Sequence, residues 1–331
     1  MQNKTATLLD NRQQTTDNRQ QTDTFAQKVI KVLTRKFSRV RYGQDTFGEF
    51  VLFFVDQTCR VILRKNPHFY SRRKVKKFSP LIKSDCYQIK DARIPLLDEE
   101  NQNVFFAYVF EDTFYSYLYL DDSYSEEDVD KCDIFLYEGL YGLVNDKVNV
   151  TVQSGDVVID AGSWIGDFAA YASAKGAGKI YAFEPLEPAF SYLKKTAELN
   201  ANIIPVQLGI SNKTTNEVIF IDACNTGSSS FMKSMCVSEK GTSQVETVTI
   251  DEFVRANNIE RVDFIKSDIE GYERYMLEGA QETLRRFSPK LALCTYHLPD
   301  DPEVMSSLIL KANPKYNIVH KSKKLYASVP E

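Results

Sequence analysis

The chain has 331 residues, 43% of them hydrophobic and 26% charged, with a formal net charge of -4. That length supports a buried core and leaves room for one large domain beside a smaller one, while the mild acidity gives no global pull towards nucleic acid or anionic lipid. No apolar run approaches the roughly 18 to 20 residues of a membrane span and the first thirty residues are too polar for a signal peptide, so the sequence reads as cytoplasmic. Six cysteines stand far apart without a C-x-x-C pair or a companion histidine cluster, which argues against a zinc site or a disulfide framework.

Residues 1–24 repeat DNRQQT with no apolar stripe to bury, and are expected to form a disordered polar tail. FAQKVIKVLTRKF then places Phe25, Val29, Ile30, Leu33 and Phe37 on one helical face. Further on, FGEFVLFFVD, NVFFAYVF and FYSYLYLDD are rich in β-branched and aromatic residues, so residues 25–136 are predicted to be a helix followed by a β-rich accessory domain. The aromatic residues there are read as sheet packing rather than a sugar-stacking platform. The basic run over residues 64–77 is read as a solvated loop rather than a nucleic-acid or glycan patch, with an acidic stretch of opposite sign over residues 121–133.

From Gly155 strands and helices alternate. VVID, WIGDFAAYASA, KIYAFEP, EPAFSYLKKTAELN and NIIPVQLGI read as β, α, β, α and β, which implies an α/β fold with a parallel sheet. A polar excursion over residues 211–244 precedes strand VETVTI, helix DEFVRANN, strand VDFIKSD, a single helix YERYMLEGAQETLRRF and strand LALCTYH. One more helix, over residues 302–312, and the strands YNIVH and KLYASV complete the chain.

In such a sheet ligands bind beyond the carboxyl ends of strands, so the polar residues that finish strands carry the information. Asp160 ends VVID and is followed by Ala161, Gly162, Trp164 and Gly166, a D-x-G-x-x-x-G turn rather than the G-x-G-x-x-G of a dinucleotide site. The missing side chains let a ligand approach the backbone and the helix N-terminus, and an acid at the turn suits a cationic ligand better than a pyrophosphate. Glu184 ends the next strand, where a carboxylate can accept from both ribose hydroxyls, and Pro185 stops that strand. Together these residues describe a pocket for an adenosine joined to a positively charged amino-acid part, which is S-adenosyl-L-methionine.

FIKSDIEGYERYMLEGA carries Lys266, Asp268 and Glu270, which strand alternation would put on one face, and such ionisable residues are costly to bury without partners or work. His297 ends LALCTYH on the next strand and is placed to reach the same cleft. His297, then Asp268, are the candidate bases for an acceptor hydroxyl. Asp268 and Glu270 offer a divalent ion two carboxylates, but the sequence shows no third ligand, so no metal is assigned.

Over residues 137–300 the ordered segments YEGLYG, VVIDAGSWIGDFAAYAS, YAFEPLEPAF, GSSSF, VTIDEF, VDFIKSDIEGYERYMLEGA and CTYH resemble the FkbM family of S-adenosylmethionine-dependent methyltransferases. The D-x-E-G-x-E segment is the most family-specific piece. The resemblance implies a Rossmann-like, seven-stranded methyltransferase sheet in a domain over residues 137–331 and methyl transfer to a hydroxyl of a sugar, glycan or natural product. It implies that Asp160, Gly162, Gly166 and Glu184 hold the cofactor while Asp268, Glu270 and His297 face the reacting groups. Trp164 departs from the smaller or polar residues commoner in the family and predicts a tighter mouth. Two rival readings are an NAD-dependent oxidoreductase, which the glycine spacing opposes, and a non-enzymatic glycan- or RNA-binding protein on a methyltransferase scaffold.

Overall fold

The computed structural model describes residues 51, 82–83, 86–89, 91–98, 101, 141–222, 227–236, 239–321 and 323–330. The expected polar tail, the helix over residues 25–37, the basic and acidic runs and most of the aromatic runs lie outside them. Val51, the described residue of FGEFVLFFVD, is helical rather than extended.

A seven-stranded sheet forms the centre. It contains β6 (Val157–Ala161), β7 (Lys179–Phe183), β8 (Ile203–Val206), β12 (Phe264–Ser267), β13 (Lys290–Cys294), β14 (Asn317–Lys321) and β15 (Lys324–Ser328), in the order β14-β15-β13-β12-β6-β7-β8. The five strands from β13 to β8 are parallel, and β15 runs antiparallel between β13 and β14. Edge strand β8 tolerates Pro205, which has no N–H to give a further neighbour.

Alternation within the central strands feeds two cores. Val158 and Phe264 face one core with α1 (Asp167–Ala174) and α2 (Glu187–Leu199). Ile159 and Ile265 face the other, which is filled by α3 (Ile250–Ala256), α4 (Glu273–Glu278), α5 (Gln281–Phe287) and α6 (Asp301–Ala312). Because strands β6 and β12 are covered on both faces, they read as nearly continuous apolar runs, and the polar Asp160 and Lys266 within them are exceptions.

Two smaller sheets flank this layer. An antiparallel sheet of β1 (Ile82–Lys83), β2 (Cys86–Ile89) and β3 (Ala92–Pro95) packs Tyr87 and Ile94 into the core beside α1 and α2. Asn200 Nδ2 donates to the Arg93 carbonyl at 2.7 Å and the Tyr192 hydroxyl to Asp98 at 2.6 Å, which fasten that sheet to α2. The described part of the accessory region is thus seated on the helices. A two-stranded ribbon of β4 (Leu143–Val144) and β5 (Asn149–Val150) leads into β6.

The segment read as a polar excursion contains a strand. β10 (Thr215–Asp222) pairs antiparallel with β11 (Glu239–Val248), and β9 (Gly209–Ile210) joins β11 in parallel. Ile219 turns inward against Leu186 and Val245, and this short apolar stretch suffices because the partner strand supplies the rest of the cover. The single helix expected over residues 272–287 is broken into α4 and α5 at Gly279 and Ala280. A Cβ on Gly279 would lie 2.5 Å from the Ser211 carbonyl, and the Asp251 carboxylate caps the new helix start by accepting from Glu282 N and Thr283 N at 2.9 and 2.8 Å. A distant acid therefore ends one helix and begins the next. No helix among the described residues is long and apolar enough to cross a membrane.

Candidate active site

The chain progresses outward from β6 through β7 to β8 and then returns to the other side of β6 with β12, so the strand order reverses between β6 and β12. An α/β sheet opens its crevice at that point. A cleft of about 50 Å³ lies there, walled by Gly162, Trp164, Glu184, Pro185, Asp268 and Glu270, with Phe183, Leu208, Ile219 and Phe231 as its apolar side.

Register explains the floor of the site. Asp160 and Lys266 are directly opposed on β6 and β12, and Lys266 Nζ lies 3.0 Å from Asp160 Oδ1 with both side chains buried. Lys266 also donates to the Gly162 carbonyl at 2.7 Å and rests against the rings of Tyr141 and Phe168, at 5.4 and 5.8 Å from their centres. Asp160 is therefore balanced by an internal cation rather than held as a free anion for a cationic ligand. Lys266 thus serves Asp160 Oδ1, while Oδ2 accepts no hydrogen bond from a described group.

Above this floor the backbone turns tightly. Gly162 has φ +76°, and a Cβ there would sit 2.1 Å from the Asp268 carbonyl, so the glycine is needed for the approach of the β6 and β12 ends. Trp164 follows at φ 48°, a left-handed conformation that costs a bulky residue energy, and its side chain is buried in the cleft wall. Gly166, the N-cap of α1 at φ +85°, packs against Leu193 and Thr196 and makes room for α2. Ala161 is fully buried and accepts from Asp268 N at 3.1 Å, tying the two strand ends together.

Glu184, 8% exposed, ends β7 and accepts from Leu186 N at 2.9 Å. Burial pushes its carboxyl up to about 7, against the backbone donors of Leu186 and Trp164 and the Lys266 charge, which favour ionisation. Incoming hydroxyl donors would relieve that burial cost. With the small residues at the turn and the apolar wall, this carboxylate fits an adenosine-bearing cofactor.

The opposite wall gathers acids around an imidazole. Strand β12 stops at Ser267, so Glu270 reaches the group through a left-handed turn at φ 53° rather than by alternation along a strand. His297 Nε2 lies 3.2 Å from Glu270 Oε2 and 4.0 Å from Asp268 Oδ1, while Nδ1 lies 3.4 Å from Glu273 Oε2. Glu273 is itself fixed by accepting from Ile269 N at 2.8 Å and Gly271 N at 3.0 Å. The hydroxyls of Tyr141 and Tyr296 donate to the two oxygens of Asp268 at 3.0 and 3.1 Å.

Charges set the protonation of this group. Burial works against a cationic His297, but Glu270, Glu273 and Asp268 outweigh it and push the imidazole up to about 11. Burial likewise opposes ionisation of Asp268, and His297, Lys266 and Lys324 overcome it, holding that carboxyl below its usual range. Glu270 moves upward because burial is reinforced by the like charge of Asp268.

Of the candidates named from sequence, Gly162, Trp164, Glu184, Pro185, Asp268 and Glu270 meet at the cleft. Asp160, Ala161, Gly166 and Lys266 lie behind it and shape it, and His297 backs the acidic wall. Tyr141, Tyr296 and Glu273 were not singled out. Glu273 closes the D-x-E-G-x-E segment and Tyr296 precedes His297, so both were adjacent to the signal; Tyr141 lies in the YEGLYG segment, but its partner Asp268 is 127 residues away and nothing local shows the pairing.

Comparison with known proteins places this geometry. The Methyltransferase FkbM domain matches residues 159–316. The hexuronic acid methyltransferase AglP of Haloferax volcanii is 27% identical over 161 residues, which span 48% of this chain and 64% of that relative. Among solved structures, methyltransferase FkbM from Methylobacillus flagellatus KT aligns with a TM-score of 0.42 at 18% identity, covering 70% of this chain and 56% of the other. Aeropyrum pernix fibrillarin, solved with natively bound S-adenosyl-L-methionine, aligns with a TM-score of 0.35 at 14% identity, covering 57% of this chain and 71% of the other. Residues 159–316, just under half of the chain, thus match the Methyltransferase FkbM domain.

Proposed function

We propose that this protein is an S-adenosyl-L-methionine-dependent O-methyltransferase acting on a hydroxyl of a sugar or glycan, with residues 137–331 as its catalytic unit. The observation that carries the reading is the cleft itself, which sets the Glu184 carboxylate across from Asp268 and Glu270 at the point where strand order reverses. Similarity to a relative named a hexuronic acid methyltransferase supports a sugar as the acceptor class.

The sulfonium of the bound cofactor supplies an already activated methyl group. Glu184 would accept from the ribose hydroxyls, the Gly162 turn would let the backbone approach the amino-acid part, and Trp164 and Phe231 would keep water from the transfer line. An alcohol needs its proton removed as the new O–C bond forms. The carboxylates around His297 push its imidazole up to about 11, which favours its protonated form and makes it a weaker candidate for that base than a carboxylate. Asp268 is ionised and lines the cleft, so the role falls to it, with Tyr141 and Tyr296 fixing its orientation.

Calorimetric titration with S-adenosylhomocysteine, beside NADH and on Glu184→Ala, tests this. Binding of the homocysteine compound alone, weakened about tenfold to hundredfold by the substitution, is expected for loss of hydrogen bonds to a charged group. Absence of binding by folded protein overturns the reading, and binding of NADH instead would favour an oxidoreductase. Transfer of labelled methyl to a hexuronic acid or neutral sugar, analysed for ether against ester, then tests the hydroxyl acceptor.

A further inference from the structure

The acidic wall holds a grouping that the methyl-transfer reading uses only in part. Asp268, Glu270 and His297 each offer one ligand-type atom, and the three atoms lie within 4.8 Å of one another. The side chain of His297 is 3% exposed, yet neither ring nitrogen makes a hydrogen bond of proper geometry with a described group. The carboxylates lie 3.2 to 4.0 Å from its ring nitrogens without a well-directed hydrogen bond, a spacing that an ion between Nε2 and the Asp268 and Glu270 oxygens would satisfy.

We infer that Asp268, Glu270 and His297 bind a small divalent cation, with Nε2 of the imidazole and one oxygen of each carboxylate as its protein ligands, the ion taking the place of the Nε2 proton, which is released on binding. Ligand atoms about 2.0 to 2.2 Å from a common ion are separated by roughly 3 to 3.5 Å at adjacent coordination positions. The 3.2 Å between Nε2 and Glu270 Oε2 already meets that spacing, and the 4.0 Å between Nε2 and Asp268 Oδ1 needs a shift of well under 1 Å. Two carboxylates and one imidazole form an oxygen-rich donor set that suits Mn²⁺ and related first-row ions, and neutralise a charge of two.

The surroundings match what a metal-binding histidine requires. Such a histidine usually presents its second ring nitrogen to a carboxylate that fixes tautomer and ring plane. Nδ1 of His297 faces Glu273 Oε2 at 3.4 Å, and Glu273 is fully buried and anchored by two backbone N–H groups. Asp268 is aimed by its two tyrosine hydroxyls. Asp268 and Glu270 both line the cleft, which leaves the ion's open positions towards an acceptor.

This deepens the proposed function and rests on it only for the chemistry. An acceptor hydroxyl joining the ion would become more acidic, so its O–H proton would pass to the Asp268 oxygen that does not ligate the ion, while the hydroxyl oxygen takes the methyl and the C–S bond breaks. The carboxylate of Asp268 then serves as a ligand through one oxygen and as the proton acceptor through the other.

The test is titration of the full chain with MnCl₂ alone, followed by loss of the free-ion electron paramagnetic resonance signal. One ion per chain is expected, with affinity reduced at least tenfold in His297→Ala and in Glu270→Gln. Asp268→Asn carries the same expectation should either of those variants fail to fold by circular dichroism. No binding below millimolar Mn²⁺, or equal binding by wild type and the folded variants, overturns the site. Titration of the same wild-type sample with S-adenosylhomocysteine separates the two readings. Cofactor binding without Mn²⁺ binding removes the ion alone, whereas Mn²⁺ binding without cofactor binding leaves the ion and removes the methyltransferase.

Discussion

The two walls of the cleft handle buried charge in opposite ways. Beneath the glycine turn, Asp160 meets Lys266 across adjacent strands, one anion against one cation, with the lysine also holding the Gly162 carbonyl. Across the cleft, three carboxylates surround one imidazole, and the excess negative charge is tempered by tyrosine hydroxyls and backbone N–H groups. The first arrangement is closed and serves to hold a turn in place. The second keeps unspent negative charge at the cleft, which suits a place where a proton or a cation is handled.

Breaking the closed pair should have the largest effect. Lys266→Met removes the cation and strands the Asp160 carboxylate, which is fully buried. A loss of about 3 to 5 kcal/mol in urea denaturation is expected, and Asp160→Asn added to Lys266→Met should recover part of it because the uncompensated charge disappears. If the single substitution costs under about 1 kcal/mol, the pair is not the support described.

The glycine turn offers the next largest effect. Gly162→Ala adds a Cβ 2.1 Å from the Asp268 carbonyl at a φ of +76° that alanine resists. The strand ends must separate, so a loss of about 3 kcal/mol is expected together with weaker S-adenosylhomocysteine binding. Gly155, also at positive φ but with open space around its Cβ, is the control, and Gly155→Ala should cost only about 1 kcal/mol. Equal losses at the two glycines would show that conformation alone, and not the approach of β6 to β12, sets the requirement.

Much of this contrast was legible before any coordinates. Asp160, Gly162, Glu184, Asp268 and Glu270 finish strands or start the turns after them, and position at a strand end suffices to bring such residues to one crevice. The pairing of Asp160 with Lys266 was not legible, because it depends on the register between strands that are over 100 residues apart. The hairpin of β10 and β11 was hidden for a related reason, since its polar outer face resembles a loop until the partner strand is known. The break between α4 and α5 is imposed by Ser211 and Asp251, which lie outside that helix. The third member of the acidic wall was named from sequence, but its service to both carboxylates required the turn at Glu270 and the neighbouring strand β13.

The smallest expected effect sharpens the contrast at Glu184, the buried carboxylate on the cofactor side that has no full cationic partner. Burial raises its carboxyl from an ordinary 4.5 to about 7, so between those values the folded chain holds a proton that the unfolded chain has released. Its contribution to stability is therefore most favourable below pH 4.5 and declines as pH rises through 7, and Glu184→Gln should flatten that decline. Ribose hydroxyls donate to the ionised form, so cofactor binding runs the other way and strengthens with pH. From pH 6 to 8 the ionised fraction of a group at about 7 rises roughly tenfold, and the affinity for S-adenosylhomocysteine should rise by the same factor, about 1.4 kcal/mol. The amino group of the ligand titrates above this window, and comparison with Glu184→Gln isolates the carboxylate. A flat profile in wild type would mean that Glu184 is ionised already at pH 6, held by Lys266 more strongly than its burial opposes, and the two walls of the cleft would then differ less than their geometry indicates.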